Sequence, residues 1–260
     1  MKKKRTKKAN KQEKGKKFIF IDRTVFFPEE KILVLGDLHI GYEHMLRNQG
    51  IMIPLNQIKQ DLKDIRKIIN KIKKQKHSVE KIIILGDLKH HFGFQYNEKF
   101  DVRDFLKHLE DIEGIKKVIL LKGNHERIEL DKRKYKDYHL EKGILFIHGD
   151  KFNEKLSKEK ISLIVMGHLH PALLLSDTPG IKSEKFKCYL TGKWKRKNVI
   201  ILPSFFSSIE GTDIRNSEDK PIGENRKEFS MIPKEKIKDF EVHLIGKKDI
   251  YNFGKLKDII

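Results

Sequence analysis

Five short apolar runs, each closing on an aspartate, asparagine or histidine near a glycine, constrain this chain more than any other feature. Lys81–His91 (KIIILGDLKHH) sets the pattern: Ile82, Ile83, Ile84 and Leu85 are continuously apolar, and Gly86 and Asp87 end the run. Unbroken runs of this length read as strands buried on both faces, as in a parallel or mixed sheet under helices. Asp87 then falls at the C-terminal edge of its strand, where open α/β sheets gather their ligands. Four other stretches repeat the arrangement. Ile32–Gly41 (ILVLGDLHIG) delivers Asp37 and His39, and Val118–Glu126 (VILLKGNHE) delivers Asn124 and His125. Ile144–Asp150 (ILFIHGD) delivers His148, and Ile161–Pro171 (ISLIVMGHLHP) delivers His168 and His170. Seven of the 12 histidines lie in these stretches, which scatter does not produce.

On a strand, residues i and i+2 share a face, so Asp37 pairs with His39 and His168 with His170 as donors to one ion. Asn124 and His125 are neighbours and diverge, one able to ligate while the other faces substrate. Taken alone, Asp87 reads equally as a helix cap and an Asp-x-His pair as a loop hydrogen bond. Together they point to a metal centre in which Asp87 bridges two ions. Nitrogen and oxygen donors without thiolate suit manganese, iron or zinc rather than calcium. Two such ions lower the pKa of a water between them, so no serine or cysteine nucleophile is needed. A phosphate cradle of the form GxxxxGK[ST] is absent.

At 260 residues the chain can bury one sizeable core. Its formal net charge of +20 favours polyanionic partners, nucleic acid or an anionic membrane surface. A single cysteine, Cys188, excludes an internal disulfide framework and fits a reducing compartment. No run approaches the roughly 18 apolar residues of a spanning helix, and no apolar h-region of a secretory signal follows the charged start. The expectation is a soluble cytoplasmic protein: a disordered basic tail over residues 1–17, then a single domain over 18–260. That tail (MKKKRTKKANKQEKGKK) holds ten Lys or Arg and one acid. It cannot bury a core, and serves as a solubilising tail or as an arm that neutralises phosphates.

Along the remainder, Phe18–Asp22 and Thr24–Phe27 read as a hairpin and Tyr42–Asn48 as a helix. Leu55–Lys74 carries Ile58, Leu62, Ile65, Ile68, Ile69 and Ile72 at helical spacing, an amphipathic helix covering the sheet. Phe100–Asp111 is a further helix, and the charged Asp131–Lys142 reads as loop and short helix. Beyond His170, strands are expected at Ala172–Leu175, Phe186–Leu190, Val199–Leu202 and Glu241–Ile245. Gly192–Asn198 (GKWKRKN) reads as a basic hairpin turn whose Trp194 either packs on the domain rim or stacks a base. Glu210–Ile232 is polar and loop-like. Cys188, on a strand, reads as packing.

The motifs GDLHIG, GDLKHH, GNHE, HGD and GHLH resemble, in order, the five motifs of the calcineurin-like metallophosphoesterases, over roughly Phe18 to Ser208. The resemblance implies an α/β fold, a two-sheet β-sandwich flanked by helices, with the metals at the strands' C-terminal edge. It implies that Asp37, His39 and His170 hold one ion and Asn124, His148 and His168 the other, with Asp87 bridging. His125 would be the non-ligand catalytic histidine that protonates the leaving oxygen or stabilises phosphoryl charge.

The second motif bears on the substrate. Protein Ser/Thr phosphatases have GDxVDRG there, with an arginine clamp for phosphomonoesters; this chain has Lys89, His90 and His91. A histidine three residues after the bridging aspartate resembles the SbcD-type DNA repair nucleases, in which it positions the scissile phosphodiester; His90 holds that place. HIGYE, with Glu43, and PSFFSS at Pro203–Ser208 resemble the archaeal SbcD-related phosphoesterases. The repair nucleases continue into a capping domain and an ATPase-binding region that this sequence does not reach, so double-strand-break processing with an ATPase is not expected. The reading is a manganese-dependent phosphodiesterase, a nuclease acting on DNA or RNA. A phosphomonoesterase or protein phosphatase is the alternative, supported by Lys122 before GNHE, and a non-catalytic scaffold is the third possibility.

Overall fold

Buried runs such as ILVL carry backbone polar groups that must be paired inside the protein, and here the runs pair with one another. The structure, a computed structural model, describes residues 17–93, 95–126, 133–152, 159–178, 182–215 and 230–259. All of the basic tail except Lys17 thus lies outside the described residues. A hairpin of β1 (Ile19–Ile21) and β2 (Thr24–Phe27) leads antiparallel into β3 (Ile32–Leu35). Next come β4 (Lys81–Ile84) and β5 (Lys117–Leu121), parallel to β3 because helices make the crossovers. Helices α1 (Tyr42–Asn48) and α2 (Gln57–Lys74) precede β4, and α3 (Tyr96–Glu110) precedes β5. With β6 (Tyr135–Lys136) these strands form a sheet ordered β1-β2-β3-β4-β5-β6 among the described residues.

The second sheet begins with β7 (Tyr138–Glu141), antiparallel to β8 (Ile144–Ile147). Beside β8 lie β9 (Leu163–Met166) and then β12 (Lys197–Ile201), all parallel. β10 (Pro171–Thr178) and the long β11 (Lys182–Trp194) are antiparallel, and β13 (Thr212–Asp213) edges β10. After the short helix α4 (Lys234–Ile237), β14 (Glu241–Ile245) pairs with β11, and β15 (Ile250–Lys255) with β14.

Alternation along each strand explains why the runs are continuously apolar. Ile32 and Val34 of β3, Ile83 of β4 and Ile119 of β5 meet Ile144 and Phe146 of β8 and Leu163 and Val165 of β9 between the sheets. Leu33, Leu35, Ile82, Ile84 and Leu120 face the other way, against Leu62, Ile65 and Ile69 of α2 and Phe105 and Leu109 of α3. The outer face of the second sheet is covered by Ile237, Phe240 and Leu256. Both faces of every central strand are therefore out of water, which is the expected α/β sandwich flanked by helices. None of the described helices is long and apolar enough to cross a membrane.

The Glu43 side chain of α1 organises α2: its Oε2 accepts from the backbone N–H groups of Asn56 (2.7 Å) and Gln57 (2.9 Å). These are donors that a helix start leaves unpaired, and a carboxylate there also suits the helix dipole.

Several elements differ from the sequence reading. α3 starts at Tyr96 rather than Phe100, because Glu98 turns inward to a tertiary partner described below. Asp131–Lys142, expected as loop and short helix, supplies β6 and β7; both are edge strands, which tolerate charge. Residues 127–132 lie outside the described residues, as do 216–229 of the expected polar loop. Trp194 is only 8% exposed, packs edge-on to Phe152 at 5.4 Å and carries the Lys195 ammonium 4.6 Å over its ring. It is a packing residue of the rim. Cys188 is fully buried and burial pushes its thiol pKa up, as packing requires.

Tyr189 of β11 ties the second sheet to the first. It stacks on Phe20 at 4.2 Å, and its hydroxyl lies 2.6 Å from the Asp22 carbonyl and 2.7 Å from that of Thr24. Tyr189→Phe should cost about 0.5–1.5 kcal/mol of unfolding free energy, the net value of a hydrogen bond. Urea denaturation measures it, and an unchanged midpoint would show that the hydroxyl does not join the sheets.

Candidate metal centre

The strands β3, β4, β8 and β9 end at one edge of the sandwich, and the residues that follow them meet across it. Side-chain donors of Asp37, His39, Asp87 and His170 lie within 4.8 Å of one another, as do those of Asp87, His148 and His168. Asn124 Oδ1 is 3.0 Å from His148 Nε2. His125 and His90 stand beside them, forming a third group with His39 within 4.8 Å. Every residue expected to ligate or to act in catalysis is thus in one place, with Asp87 common to both carboxylate-containing groups.

His168 and His170, expected to share one ion, fall instead in separate groups, and the way the donors are brought together differs from the strand alternation expected. β3 ends at Leu35 and β9 at Met166, before the paired residues begin. Asp37, His39, Asp87, His168 and His170 instead adopt left-handed backbone with φ of 56°, 48°, 48°, 69° and 44°. For residues other than glycine this costs roughly 1–2 kcal/mol each. Backbone hydrogen bonds impose it: Asp37 N–H donates to Gly86 O (3.1 Å), His39 N–H to Asp87 O (2.9 Å) and Gly167 N–H to His148 O (2.9 Å). The space is equally exacting. A Cβ on Gly123 would collide with Asp87 Oδ1, and one on Gly167 would lie 2.5 Å from Asp37 Oδ2.

Two buried acids missing from the sequence reading support this loop system. Glu126 accepts from the backbone N–H groups of Asp87 (2.9 Å), Leu88 (2.7 Å) and Gly123 (2.7 Å), binding the second motif to the third. Glu98 of α3 accepts from His90 and His91 N–H, both at 2.8 Å. Glu126 is the last letter of GNHE and could have been noticed there. Nothing in the sequence marks Glu98, whose neighbours on the helix are exposed.

The donors fit cations. His148 Nδ1 donates to the Leu85 carbonyl at 3.0 Å, leaving Nε2 a bare lone pair. That lone pair faces Asn124 Oδ1 at 3.0 Å and Asp87 Oδ2 at 3.5 Å. Acceptors converging on one another repel unless a cation lies among them. His39 Nε2 and His170 Nε2 likewise approach to 3.3 Å, with Asp37 Oδ1 3.3 Å from His170 Nε2. Imidazoles, an amide oxygen and carboxylates without sulfur form a donor set for borderline divalent metals.

Electrostatics separate the two carboxylates. Burial pushes Asp37 up, but His170, with His148 and His39, outweighs it and holds the group below the usual range. Asp87 is raised well above its ordinary value by burial, then by the charges of Asp37 and Glu126. Burial lowers His148 to about 3, and His90 and His125 to about 4, so all three rings are neutral near pH 7. His125 donates Nδ1–H to the His90 carbonyl, which turns Nε2 toward Asp87 Oδ2 at 3.7 Å. Phe92 stacks on its ring at 4.0 Å.

Comparison with known proteins bears on the family and the fold. A family model described as calcineurin-like phosphoesterase matches residues 30–182. The nuclease MPE of Pseudomonas putida is structurally similar, with a TM-score of 0.55 and 16% identity over 89% of this chain and 92% of that one. Vps29 of Entamoeba histolytica, complexed with zinc, aligns with a TM-score of 0.36 and 12% identity over 85% of this chain and 96% of its own. No curated protein matches the sequence.

Glu126→Ala would strand three buried N–H groups, at about 1–3 kcal/mol each. Thermal or urea unfolding should register a loss of about 3 kcal/mol or more; a loss below about 1 kcal/mol would mean that Glu126 does not brace the loops. The histidines give a second expectation. From about pH 7 to about pH 5 an ordinary imidazole gains a proton, whereas His90, His125 and His148 should stay neutral. NMR titration of metal-stripped protein tests this, and a shift in any of the three centred near the ordinary value contradicts the burial argument.

Proposed function

The chain belongs to the calcineurin-like phosphoesterase family, and from that premise we propose that it is a manganese-dependent phosphodiesterase acting on nucleic acid. As a member it is a metal-dependent hydrolase; the substrate is the inference. The observation that carries it is the place of His90. The arginine that clamps a phosphomonoester in the protein phosphatases would align with His91, and one residue before it the His90 ring lies 5.6 Å from that of His39 and 5.8 Å from that of His125. A neutral imidazole there suits a diester, which has one charge fewer to neutralise. The net charge of +20 favours a polyanion, and the similar Pseudomonas putida protein is a nuclease. The histidine after GDLK, HIGYE and PSFFSS align the chain with the SbcD-related phosphoesterases in this reading. Buried, unreactive Cys188 suits a cytoplasmic setting.

Asp37, His39 and His170 would hold one ion, Asn124, His148 and His168 the other, and Asp87 both. When bound, divalent ions supply a water of lowered pKa and neutralise charge on the phosphoryl group. The protein's part is to present lone pairs and to manage protons. The Leu85 carbonyl fixes the His148 tautomer so that Nε2 ligates. Asp87, whose pKa is raised, must shed any proton it holds for metal to bind, so metal uptake weakens as pH falls. His125 has Nδ1–H committed to the His90 carbonyl, leaving Nε2 to exchange a proton with the leaving oxygen. Its ring is neutral at rest, and the negative charge of an approaching phosphoester is what favours its protonation. A phosphomonoesterase or protein phosphatase is the second reading, favoured by Lys122 in the place of a phosphatase arginine.

End-labelled single- and double-stranded DNA and RNA, incubated with protein and Mn2+, test the proposal. Wild type should cleave, Asp87→Ala should not, and His125→Ala should be slower by about 100- to 10,000-fold, the range of a general acid. Intact oligonucleotides with Mn2+ bound, together with hydrolysis of mono-aryl over bis-aryl phosphates, would favour the second reading.

A further inference from the structure

Asp37 is held by its backbone as well as by its neighbours' side chains, and the holder lies outside the five metal motifs. The segment after β12 runs against it. Phe205 N–H donates to Gly36 O at 2.9 Å, and Ser204 Oγ donates to Asp37 O at 2.8 Å. The carbonyls of the same segment are occupied by cations. Ser204 O accepts from Lys187 Nζ at 2.8 Å, Phe206 O accepts from the same ammonium, and Phe205 O accepts from Arg23 Nη1 at 2.6 Å. Arg23 comes from the β1–β2 turn of the first sheet and Lys187 from β11 of the second, so the segment is gripped from both sheets.

The grip is anchored in turn. Arg23 Nη2 pairs with Asp64 of α2 at 2.9 Å and Nε with Asp22 at 3.0 Å, while its guanidinium lies 4.7 Å over the Phe205 ring. Asp61, one helical turn before Asp64, is fully buried; burial pushes its pKa up, and the charges of Arg23 and Lys187 oppose that rise. Taking such charges out of water is costly, and apolar side chains of similar volume would join the sheets with less penalty. Cations offer something apolar packing does not: they fix the direction of carbonyl groups. Here three successive carbonyls are fixed, and the reverse side of the same segment holds the residue with the left-handed backbone that presents its carboxylate to the metal centre.

We propose that Lys187 and Arg23 are positioning residues, which set the 204–206 segment and, through Ser204 and Phe205, hold Asp37 in its metal-binding conformation. The inference rests on the reading of Asp37 as a ligand of one ion. It implies that loosening the segment weakens one ion selectively, whereas a role confined to joining the sheets would lower stability and leave ion binding alone in the folded protein.

The experiment titrates Mn2+ into the full chain, following free Mn2+ by electron paramagnetic resonance and heat by calorimetry, with thermal melts alongside. Wild type, Lys187→Met and Ser204→Ala are compared. Wild type should take up two ions. Both variants should remain folded and bind one ion about 10- to 100-fold more weakly, the range seen when supports of metal ligands are removed, with the other ion within about threefold of wild type. Folded variants that bind both ions as wild type does would overturn the proposal, and so would equal weakening of both ions. If Lys187→Met does not fold, Ser204→Ala, which removes one oxygen, decides alone by the same criteria. Failure of wild type to take up Mn2+ would instead overturn the metal reading of Asp37, a distinct result.

Discussion

Asp37 and Asp87, two carboxylates in a desolvated place, are what the rest of this structure has to accommodate. Side by side in low dielectric they cannot both be charged without compensation, and the protein separates them, His170 holding Asp37 low while burial and Asp37 drive Asp87 up. Around them stand His39, His90, His125 and His148, imidazoles kept neutral by burial and rich in lone pairs. Such an assembly is unfavourable by itself, and divalent cations among the donors would resolve it. The parallel strands, the tight loops and the glycines without room for a Cβ hold donors together that would otherwise move apart.

Much of this was legible in the sequence for a simple reason. β3, β4, β8 and β9 are buried on both faces, so their runs are unbroken, and each is followed at once by its metal-seeking residue. α2 was legible from Leu62, Ile65, Ile69 and Ile72 on one face. What could not be read depends on residues distant in the chain. Glu98 is a helix residue whose meaning lies in two N–H groups of the preceding loop. Arg23 and Lys187 look like any surface cations until the fold brings the 204–206 carbonyls to them. β6 and β7 were hidden because edge strands do not need the apolar alternation that reveals central ones. The reason for pairing Asp37 with His39 was also misread: the sequence pattern suggests strand alternation, and the backbone uses left-handed turns.

HIGYE and PSFFSS illustrate how short motifs outside a site can carry its geometry. Glu43 in the first caps α2, and α2 in turn supplies Asp64 to Arg23. The second motif places Ser204 and Phe205 on the backbone of Gly36 and Asp37. A single line of contacts therefore runs from α1 through α2 and the β1–β2 turn to the backbone of Asp37.

The left-handed histidines and aspartates carry a consequence for how such a protein changes over generations. At those positions asparagine or glycine relieves backbone strain, so losing a donor can leave the chain more stable than before. Selection for activity must therefore oppose a standing drift toward sturdier, inactive descendants. Where that selection lapses, the fold itself favours survival of the sandwich as a frame that no longer holds its ions.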